Sequence, residues 1–222
     1  GSSLGKPSAV FDVKKMADMS DFDPGNPMIP TGDTIKIAVV AAFSGPSAYN
    51  GQIYFAMAQW VAHDINKRGG ILVDGKKKLI QVFKADHMSK ADQCKKVTER
   101  MVLQEKVHFL WGTDGSHFMK IINEVANKYK VIAMNVTCMS DDLQNATNFS
   151  RYAFHATFST DSVARGLAYY YGQIRKKEKK FYILNQDYAF GHSFADSFKN
   201  GLKEYYPDAQ LVGEDYHKLF LT

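Results

Sequence analysis

Cysteine and long apolar runs are scarce in this 222-residue chain, and each scarcity excludes a class of protein. There are two cysteines, Cys94 and Cys138, so no disulfide framework is indicated, and no closely spaced Cys and His residues indicate a metal site. Whether the two cysteines pair depends on the fold and stays open here. No apolar run reaches the roughly 18 residues that a membrane-spanning helix needs, so we expect none.

The common catalytic signatures are also missing. The sequence has no glycine-rich nucleotide loop, no nucleophile elbow and no HExxH motif. The nearest candidates for acid–base or metal pairs are His63–Asp64, Asp86–His87 and Asp141–Asp142. Adjacent residues on a helix do not share a face, which weakens the first pair, whereas Asp86–His87 follows a predicted strand and stays a candidate for lining a site. We predict a protein that is not an enzyme, with no cofactor and no bound metal.

The charge balance is mildly basic, with 28 Lys and Arg against 23 Asp and Glu. Two basic clusters, at residues 76–78 and 175–180, would suit an anionic surface. Each cluster stands directly before an apolar segment, however, which favours a solvated turn ahead of a strand. We therefore predict no nucleic-acid partner.

Residues 35–52 give the clearest example of the pattern that recurs along the chain, a strand followed by a polar loop and a helix. The apolar run, residues 35–42, predicts a strand buried on both faces, as a parallel sheet requires. A loop of small and turn-forming residues follows at 43–51, and a helix is predicted from about Gln52, with Ile53, Met57, Trp60 or Val61, and Ile65 at helical spacing. This arrangement places backbone N–H groups at the carboxyl edge of a sheet, where α/β proteins bind ligands.

The same alternation of strand, polar loop and helix recurs along the chain. It predicts an α/β fold with right-handed crossovers and a parallel, doubly wound sheet. Further strands are predicted at 107–111, 131–134, 181–185 and 210–214, a hairpin around Asp74–Gly75, and helices at 91–104, 118–128, 162–174 and 191–205. The rhythm changes near residue 155. We predict an irregular leader at 1–33 with a short helix near 11–19, a first lobe at 34–154, and a partial second lobe at 155–222.

Small polar residues follow several predicted strands. Short hydroxyls and approachable backbone N–H groups suit a carboxylate or phosphate. The residues in question are Ser44, Gly45, Ser47, Gly112, Thr113, Gly115, Ser116, Asn135 and Thr137, and the aromatic residues near them are Phe43, Tyr49, Trp111, Phe158, Tyr188 and Phe190. Polar donors that face aromatic rings predict a cleft for a small ligand.

Four segments carry a resemblance to a known family. KIAVVAAFSGPSAYNGQ, INKRGGI, WGTDGSH and QDYAFGHSFADSFKNGLKE resemble type I periplasmic solute-binding proteins of ABC transporters, most closely the branched-chain amino acid (leucine/isoleucine/valine) receptors. The resemblance covers roughly residues 35–216. It implies two Rossmann-like lobes that close on a ligand by hinge motion, with the second lobe incomplete in this chain.

The resemblance also implies which residues form the ligand site. Ser116, beside Gly115, stands where the family places a serine against the ligand carboxylate. The loop from Asn135 through Thr137 to Met139 stands where backbone groups and a hydroxyl contact the ligand, and Met139 replaces the usual threonine. The remaining implied contacts are aromatic or adjacent: Tyr49, one position before the usual place that Asn50 fills, and Phe190 with Tyr188 nearby. The family's acidic residue for a ligand ammonium is expected beyond Thr222.

The implied function is extracytoplasmic capture of a small carboxylate, such as an amino acid, an amide or an aromatic acid. The implied partners are this ligand and a membrane permease, and the implied location is the periplasm, after removal of a signal peptide. A ligand-sensing receptor domain is the alternative; the sequons at Asn135, Asn145 and Asn148 would suit a glycosylated ectodomain, although a glycan on Asn135 would block the cleft. An α/β enzyme is a third reading. Unpaired strand edges in the incomplete lobe predict self-association.

Overall fold

The computed structural model describes residues 16–219, which form nine strands and five α-helices. The strands are β1 Ile35–Ala41, β2 Ile71–Val73, β3 Lys76–Lys78, β4 Ile80–Asp86, β5 Phe109–Gly112, β6 Ile132–Asn135, β7 Ala153–His155, β8 Lys180–Gln186 and β9 Gln210–His217. The helices are α1 Ala48–Lys67, α2 Ala91–Leu103, α3 Ser116–Tyr129, α4 Thr160–Tyr169 and α5 Ala189–Tyr205. A 3-10 turn at Asp141–Leu143 and a π-helix at Tyr170–Arg175 complete the regular structure.

The first unit is a five-stranded parallel sheet, in the order β4-β1-β5-β6-β7, together with α1, α2 and α3. Strand β1 lies inside it, and Ala38 to Ala42 are fully buried. Side chains alternate across a strand, so Val40 packs toward α2 and α3 while Val39 packs toward α1. The predicted strand, buried on both faces in a parallel sheet, is confirmed.

Helix α1 approaches β1 so closely that its inner face is built from small residues. A Cβ added at Gly51 would lie 1.8 Å from the carbonyl oxygen of Ala42, and Ala58 and Ala62 are buried on the same side. An apolar stripe at helical spacing usually faces the core. Here the stripe that indicates the helix lies mostly on the solvent side: Ile53, Met57, Trp60 and Val61 are exposed, and Ile65 is buried.

The second unit consists of β8, α5 and β9, with α4 packed beside α5. Strands β8 and β9 are parallel, and α5 crosses between them over one face of the pair. Ala164, Ala168, Ile183, Ala195 and Phe198 form its core. The predicted βαβ unit is confirmed, although β9 continues to His217, three residues beyond the predicted end.

Both sheets keep an open apolar face. In the first unit, Trp111, Met134 and Phe154 are paired in register on β5, β6 and β7, so they share the face that α1 leaves uncovered. Phe154 is 48% exposed. In the second unit, Tyr182 and Leu184 project from β8 away from its helices and are more than half exposed.

Four helices, α1, α3, α4 and α5, begin earlier than the sequence predicts, and for α1, α3 and α5 this changes the setting of several site residues. Helix α1 begins at Ala48, α3 at Ser116 and α5 at Ala189. The first N–H groups of a helix need no partner within the helix, so Gly and Ser in these positions do not prevent a helical turn. Tyr49, Asn50, Ser116 and Phe190, expected in loops or at loop ends, therefore lie in first helical turns.

The leader is irregular where the structure describes it, from residue 16 to 33. It follows α1: the N–H of Ala17 donates to Asp64, and Lys67 binds Asp21 at 2.9 Å. Most of the helix predicted near 11–19 lies outside the described residues, and Met16–Met19 is not helical. Within residues 16–219, no helix has both the length and the apolar character to cross a membrane.

Candidate functional site

The loop between β1 and α1 is held by the carboxylate of Asp86 at the end of β4. Its Oδ1 accepts hydrogen bonds from the backbone N–H groups of Phe43 and Met88, each at 2.8 Å, and its Oδ2 accepts from the Ser44 hydroxyl at 2.6 Å. Burial alone would raise the pKa of Asp86, but these donors, led by Ser44, hold that pKa below its ordinary value. The Ser44 hydroxyl, predicted as a ligand donor, is thus engaged within the loop.

A second acidic group, Asp114, forms a buried pair with His87. The His87 side chain is fully buried and that of Asp114 is 1% exposed, with Nε2 and Oδ1 2.9 Å apart. The N–H of Ser89 donates to Nδ1 of His87, which leaves Nε2 as the donor to Asp114. Burial, the largest single effect, would raise the pKa of Asp114, but the hydrogen bond and charge of His87 together with smaller hydrogen-bond contributions hold that pKa below the ordinary value.

Gly115 and Ser116 begin helix α3, directly after Asp114. The Gly115 carbonyl accepts from the N–H groups of Phe118 and Met119, each at 3.0 Å. Ser116 is 2% exposed, and its hydroxyl oxygen accepts a hydrogen bond from the N–H of Ser140 at 3.4 Å. The structure thus places Ser116 beneath the loop that follows β6, which carries Ser140.

The loop after β6 is shaped by the side chain of Asn135, which is 2% exposed. Its Nδ2 donates to the Cys138 carbonyl at 2.6 Å, and its Oδ1 accepts from the Cys138 N–H at 2.8 Å. The Thr137 hydroxyl donates to the Thr113 carbonyl. Met139 is partly buried, and its carbonyl accepts from the Thr160 N–H at 2.7 Å. Both polar atoms of the Asn135 side chain are thus hydrogen-bonded within this loop. The side chain is buried, so this sequon is not accessible to solvent.

The second unit contributes Tyr188 and Phe190 at the start of α5. The Tyr188 ring meets His117 of α3 edge-on, with centroids 5.8 Å apart, and lies 5.9 Å from Phe190. Burial raises the pKa of Tyr188 to about 12. The segments that follow β5, β6 and β8 therefore meet at this junction.

Polar contacts also join the two units. The Ser140 hydroxyl donates to the Ala189 carbonyl at 3.3 Å, and the Asp141 N–H donates to Oγ of Ser193 at 3.2 Å. Oδ2 of Asp141 accepts from the Asp161 N–H at 2.7 Å and from the Thr160 hydroxyl. The loop that carries Ser140 and Asp141 therefore contacts both α4 and α5, and Asp141 takes part in both contacts.

The structure brings part of the predicted set together through direct contacts. A hydrogen bond links Ser116 to the loop that carries Asn135, Thr137 and Met139, and Tyr188 lies across the junction. Tyr49 and Asn50 lie in the first turn of α1, where both are exposed, Tyr49 by 74%.

Sequence reasoning gave no role to Asp114 or His117, and it named Asp141 only with Asp142, as a possible acid–base or metal pair. The signal for Asp114 was available, because it is the acidic residue inside the polar strand-end segment Gly112–Ser116.

The two cysteines are free and buried, and both belong to the core between the first sheet, α2 and α3. The thiol of Cys94 lies 3.8 Å from the Phe118 carbonyl, and that of Cys138 lies 3.3 Å from the Thr113 carbonyl. Burial raises the pKa of each thiol to about 12. The open question of pairing is settled for this fold: they pack separately and form no disulfide.

Two α/β units whose strand ends meet at a shared junction define the class of two-lobed ligand-binding proteins, in which ligands bind between units. Residues 34–221 match the family described as periplasmic binding protein. The match covers most of the chain, so the chain belongs to the periplasmic binding protein family. The type I fold and the resemblance noted in the sequence are confirmed.

Individual relatives agree with this assignment. The chain is 28% identical over 187 residues to the Leu/Ile/Val-binding protein BraC3 of Rhizobium johnstonii, covering 81% of this chain and 48% of the relative. It is 26% identical to the branched-chain amino acid binding protein LivJ of Streptococcus pneumoniae, solved with isoleucine, with a TM-score of 0.68 and coverage of 84% and 50%.

A third relative extends the fold comparison. A solute-binding protein of Rhodopseudomonas palustris, solved with 3,4-dihydroxybenzoic acid, has a TM-score of 0.71 at 21% identity, with coverage of 85% of this chain and 48% of that protein. At that identity the likeness concerns the fold alone. The chain spans about half the length of these relatives.

Proposed function

We propose that this chain is the ligand-capturing part of an extracytoplasmic solute-binding protein that takes up a small carboxylate-bearing molecule and delivers it to an ABC transporter permease. The lobes would be residues 34–154 and 155–222, and the location would be the periplasm. The Leu/Ile/Val-binding relative and the relative solved with isoleucine support a small ligand that carries a carboxylate. The relatives are solute-binding proteins, which supports a binding role rather than catalysis.

The observation that carries the proposal is the junction itself. The first turn of α3, with Ser116, and the loop from Asn135 to Met139 approach it from the first unit, and Tyr188 and Phe190 approach it from the second. The N-terminus of a helix attracts an anion through its free N–H groups and its dipole. An aromatic ring on the opposite side excludes water from such a contact.

The test is isothermal titration calorimetry of the complete gene product with amino acids, amides and aromatic acids. We expect one carboxylate class to bind and Ser116→Ala to weaken that binding. Ser162→Ala is the matched control, because its exposed hydroxyl donates locally to the Ser159 carbonyl near the start of α4. If no carboxylate binds at millimolar concentration, the proposed function is wrong.

We also propose that the isolated 222-residue chain associates with itself. Its open sheet faces expose Phe154, Tyr182 and Leu184, and strands at both sheet edges keep unpaired backbone groups, which favours pairing between chains. Light scattering should give a mass that rises with concentration and falls in a Leu184→Ser variant. A monomer at all concentrations would contradict this.

A further inference from the structure

A pocket lies on the first unit, away from the junction, between α3 and the loop that leads into β7. Its volume of about 160 Å³ is well above the roughly 10–15 Å³ that one water needs, so it can hold a small organic ligand. Lys120, Asn123, Glu124 and Asn127 line it from α3, at a spacing of three to four residues, and residues 147–150 line it from the loop. None of these residues takes part in the contacts between the two units.

The most deeply buried polar residue of this pocket is Asn123, and its amide is unpaired. The residue is 8% exposed, and its buried Oδ1 has no hydrogen-bond partner. Within residues 16–219, its Nδ2 has none either. Buried polar groups almost always have a partner, and each exception calls for an explanation such as a bound water, ion or ligand. The terminal torsion of asparagine is broad, so either amide atom can turn toward the pocket. The pocket therefore offers one acceptor and one donor side by side.

The rim of the pocket carries one charge of each sign. Lys120 and Glu124 are exposed and stand one helical turn apart on α3, and neither forms an ion pair in the part of the chain that the structure describes. Because the two charges offset one another, the lining favours a neutral ligand over an anion or a cation. The ammonium can donate to a hydroxyl group of such a ligand, and the carboxylate can accept from one.

Phe149 supplies an aromatic ring on the loop side, and the residue is 73% exposed. A single exposed apolar residue needs no explanation by itself. This ring, however, lines a pocket whose exposed neighbours are polar. The face of an aromatic ring is its electronegative side, so it packs well against weakly positive C–H groups. A ligand that fits the whole pocket therefore has hydroxyl groups on its edge and C–H groups on one face.

The loop wall of the pocket is ordered by its own hydrogen bonds. Oδ1 of Asn145 accepts from the N–H groups of Thr147 and Asn148, at 3.1 and 3.0 Å. The Ser150 hydroxyl donates to Oδ1 of Asn127 at 3.2 Å, which ties the loop to α3 and leaves Nδ2 of Asn127 able to donate to a ligand. A wall that is already in place lowers the entropy that binding must lose.

We propose that this pocket binds a neutral pyranose sugar. A pyranose combines adjacent hydroxyl groups on its edge with a C–H face. In this arrangement two neighbouring hydroxyls pair with the Asn123 amide, others bind Lys120 and Glu124, and the C–H face packs on Phe149. The site is separate from the proposed carboxylate site, because it uses neither Ser116 nor any residue of the second unit.

The deciding experiment is saturation-transfer NMR of the complete gene product. The probes are glucose, galactose, mannose and N-acetylglucosamine at millimolar concentration, together with the charged sugars glucuronate and glucosamine. We expect at least one neutral sugar to receive saturation from the protein and to bind more tightly than both charged sugars. Tighter binding of a charged sugar would overturn the proposal. Absence of transfer to all the neutral sugars would also overturn it and would indicate that the Asn123 amide holds an ordered water only.

Variants locate the bound sugar. Phe149→Ala and Asn123→Ala should each weaken the sugar at least about tenfold, since one removes the stacking face and the other the paired hydrogen bonds. Phe149→Tyr keeps a ring and should retain binding, as should Asn200→Ala, which removes an exposed amide from α5. Unchanged sugar binding in Phe149→Ala would overturn the site, and this exposed position decides the matter even if Asn123→Ala does not fold. Carboxylate binding at the junction should persist in Phe149→Ala, so either site can fail without the other.

Discussion

The backbone N–H of Asp141 donates a hydrogen bond to Oγ of Ser193 at 3.2 Å, so a loop of the first unit is tied directly to α5 of the second. The same residue's carboxylate accepts from α4, through the Thr160 hydroxyl and the Asp161 N–H. Asp141 is therefore one of the residues that hold the two units in their relative placement, and the proposed ligand site lies between these units.

Replacing Asp141 should loosen this junction. Asp141→Asn weakens charge-assisted hydrogen bonds at one oxygen, each of which contributes about 1.5–3 kcal/mol. We expect the free energy of unfolding in urea to fall by about that amount and amide exchange to rise at the start of α4. Asp142→Asn, on an exposed neighbour, should change neither. Equal effects of the two variants would show that Asp141 does not tie the units.

Two helical glycines should respond in opposite directions to the same substitution. Gly51→Ala places a Cβ 1.8 Å from the Ala42 carbonyl oxygen and should destabilise the protein by about 3 kcal/mol, at the upper end for overpacking. Gly166→Ala, in α4, has open space around its Cβ and should stabilise by about 0.5–1 kcal/mol through helix propensity. Thermal unfolding measures both. A mild effect at Gly51 would mean that α1 can move away from β1.

Acid should weaken the β1–α1 loop through Asp86. The folded pKa of Asp86 lies below its ordinary value, and the unfolded pKa is about 3.9. The stabilisation is therefore complete above the unfolded pKa and is lost as the pH falls through the folded pKa. The difference in unfolding free energy between the unaltered protein and Asp86→Asn should be constant from pH 7 to 5 and shrink below about pH 4. A pH-independent difference would contradict this assignment.

The cysteines should be unreactive until the protein unfolds. Burial raises the pKa of Cys94 and Cys138 to about 12, so both remain thiols at pH 8, and only the thiolate reacts with a disulfide reagent. We expect no titratable thiol in the native protein and two in urea. Prompt labelling of one thiol under native conditions would indicate local opening of the core beneath α2 and α3.

The parallel sheet and its buried inner strand could be predicted because an apolar run with many β-branched residues, interrupted only by Lys36, indicates a strand buried on both faces. The sequence did not allow a correct prediction of which side chains of α1 face the sheet. The close approach of α1 to β1 demands Gly51, Ala58 and Ala62 on the inside, and small residues carry little hydrophobic signal. The larger residues Met57 and Trp60 set the period of the pattern while facing outward.

The sequence predicted where the residues of the candidate site lie better than it predicted which of their polar groups are free to bind a ligand. Strand ends located Ser116, Asn135 and Thr137 correctly at one edge. Whether a hydroxyl or amide is free, however, depends on neighbours distant in sequence: Ser44 is held by Asp86 and Thr137 by the Thr113 carbonyl. Asp114 stands in a strand-end segment that the sequence singles out, but its pairing with His87 depends on a contact between residues distant in sequence.

The inner position of β1 has a consequence for how this chain acquires its structure. Both neighbours of β1 in the sheet, β4 and β5, follow it in the sequence. As the chain is synthesised, the apolar segment Ala38–Ala42 therefore emerges well before the strands that will flank it. Pairings between distant segments form slowly, so this apolar segment remains without its partner strands until β4 and β5 have followed.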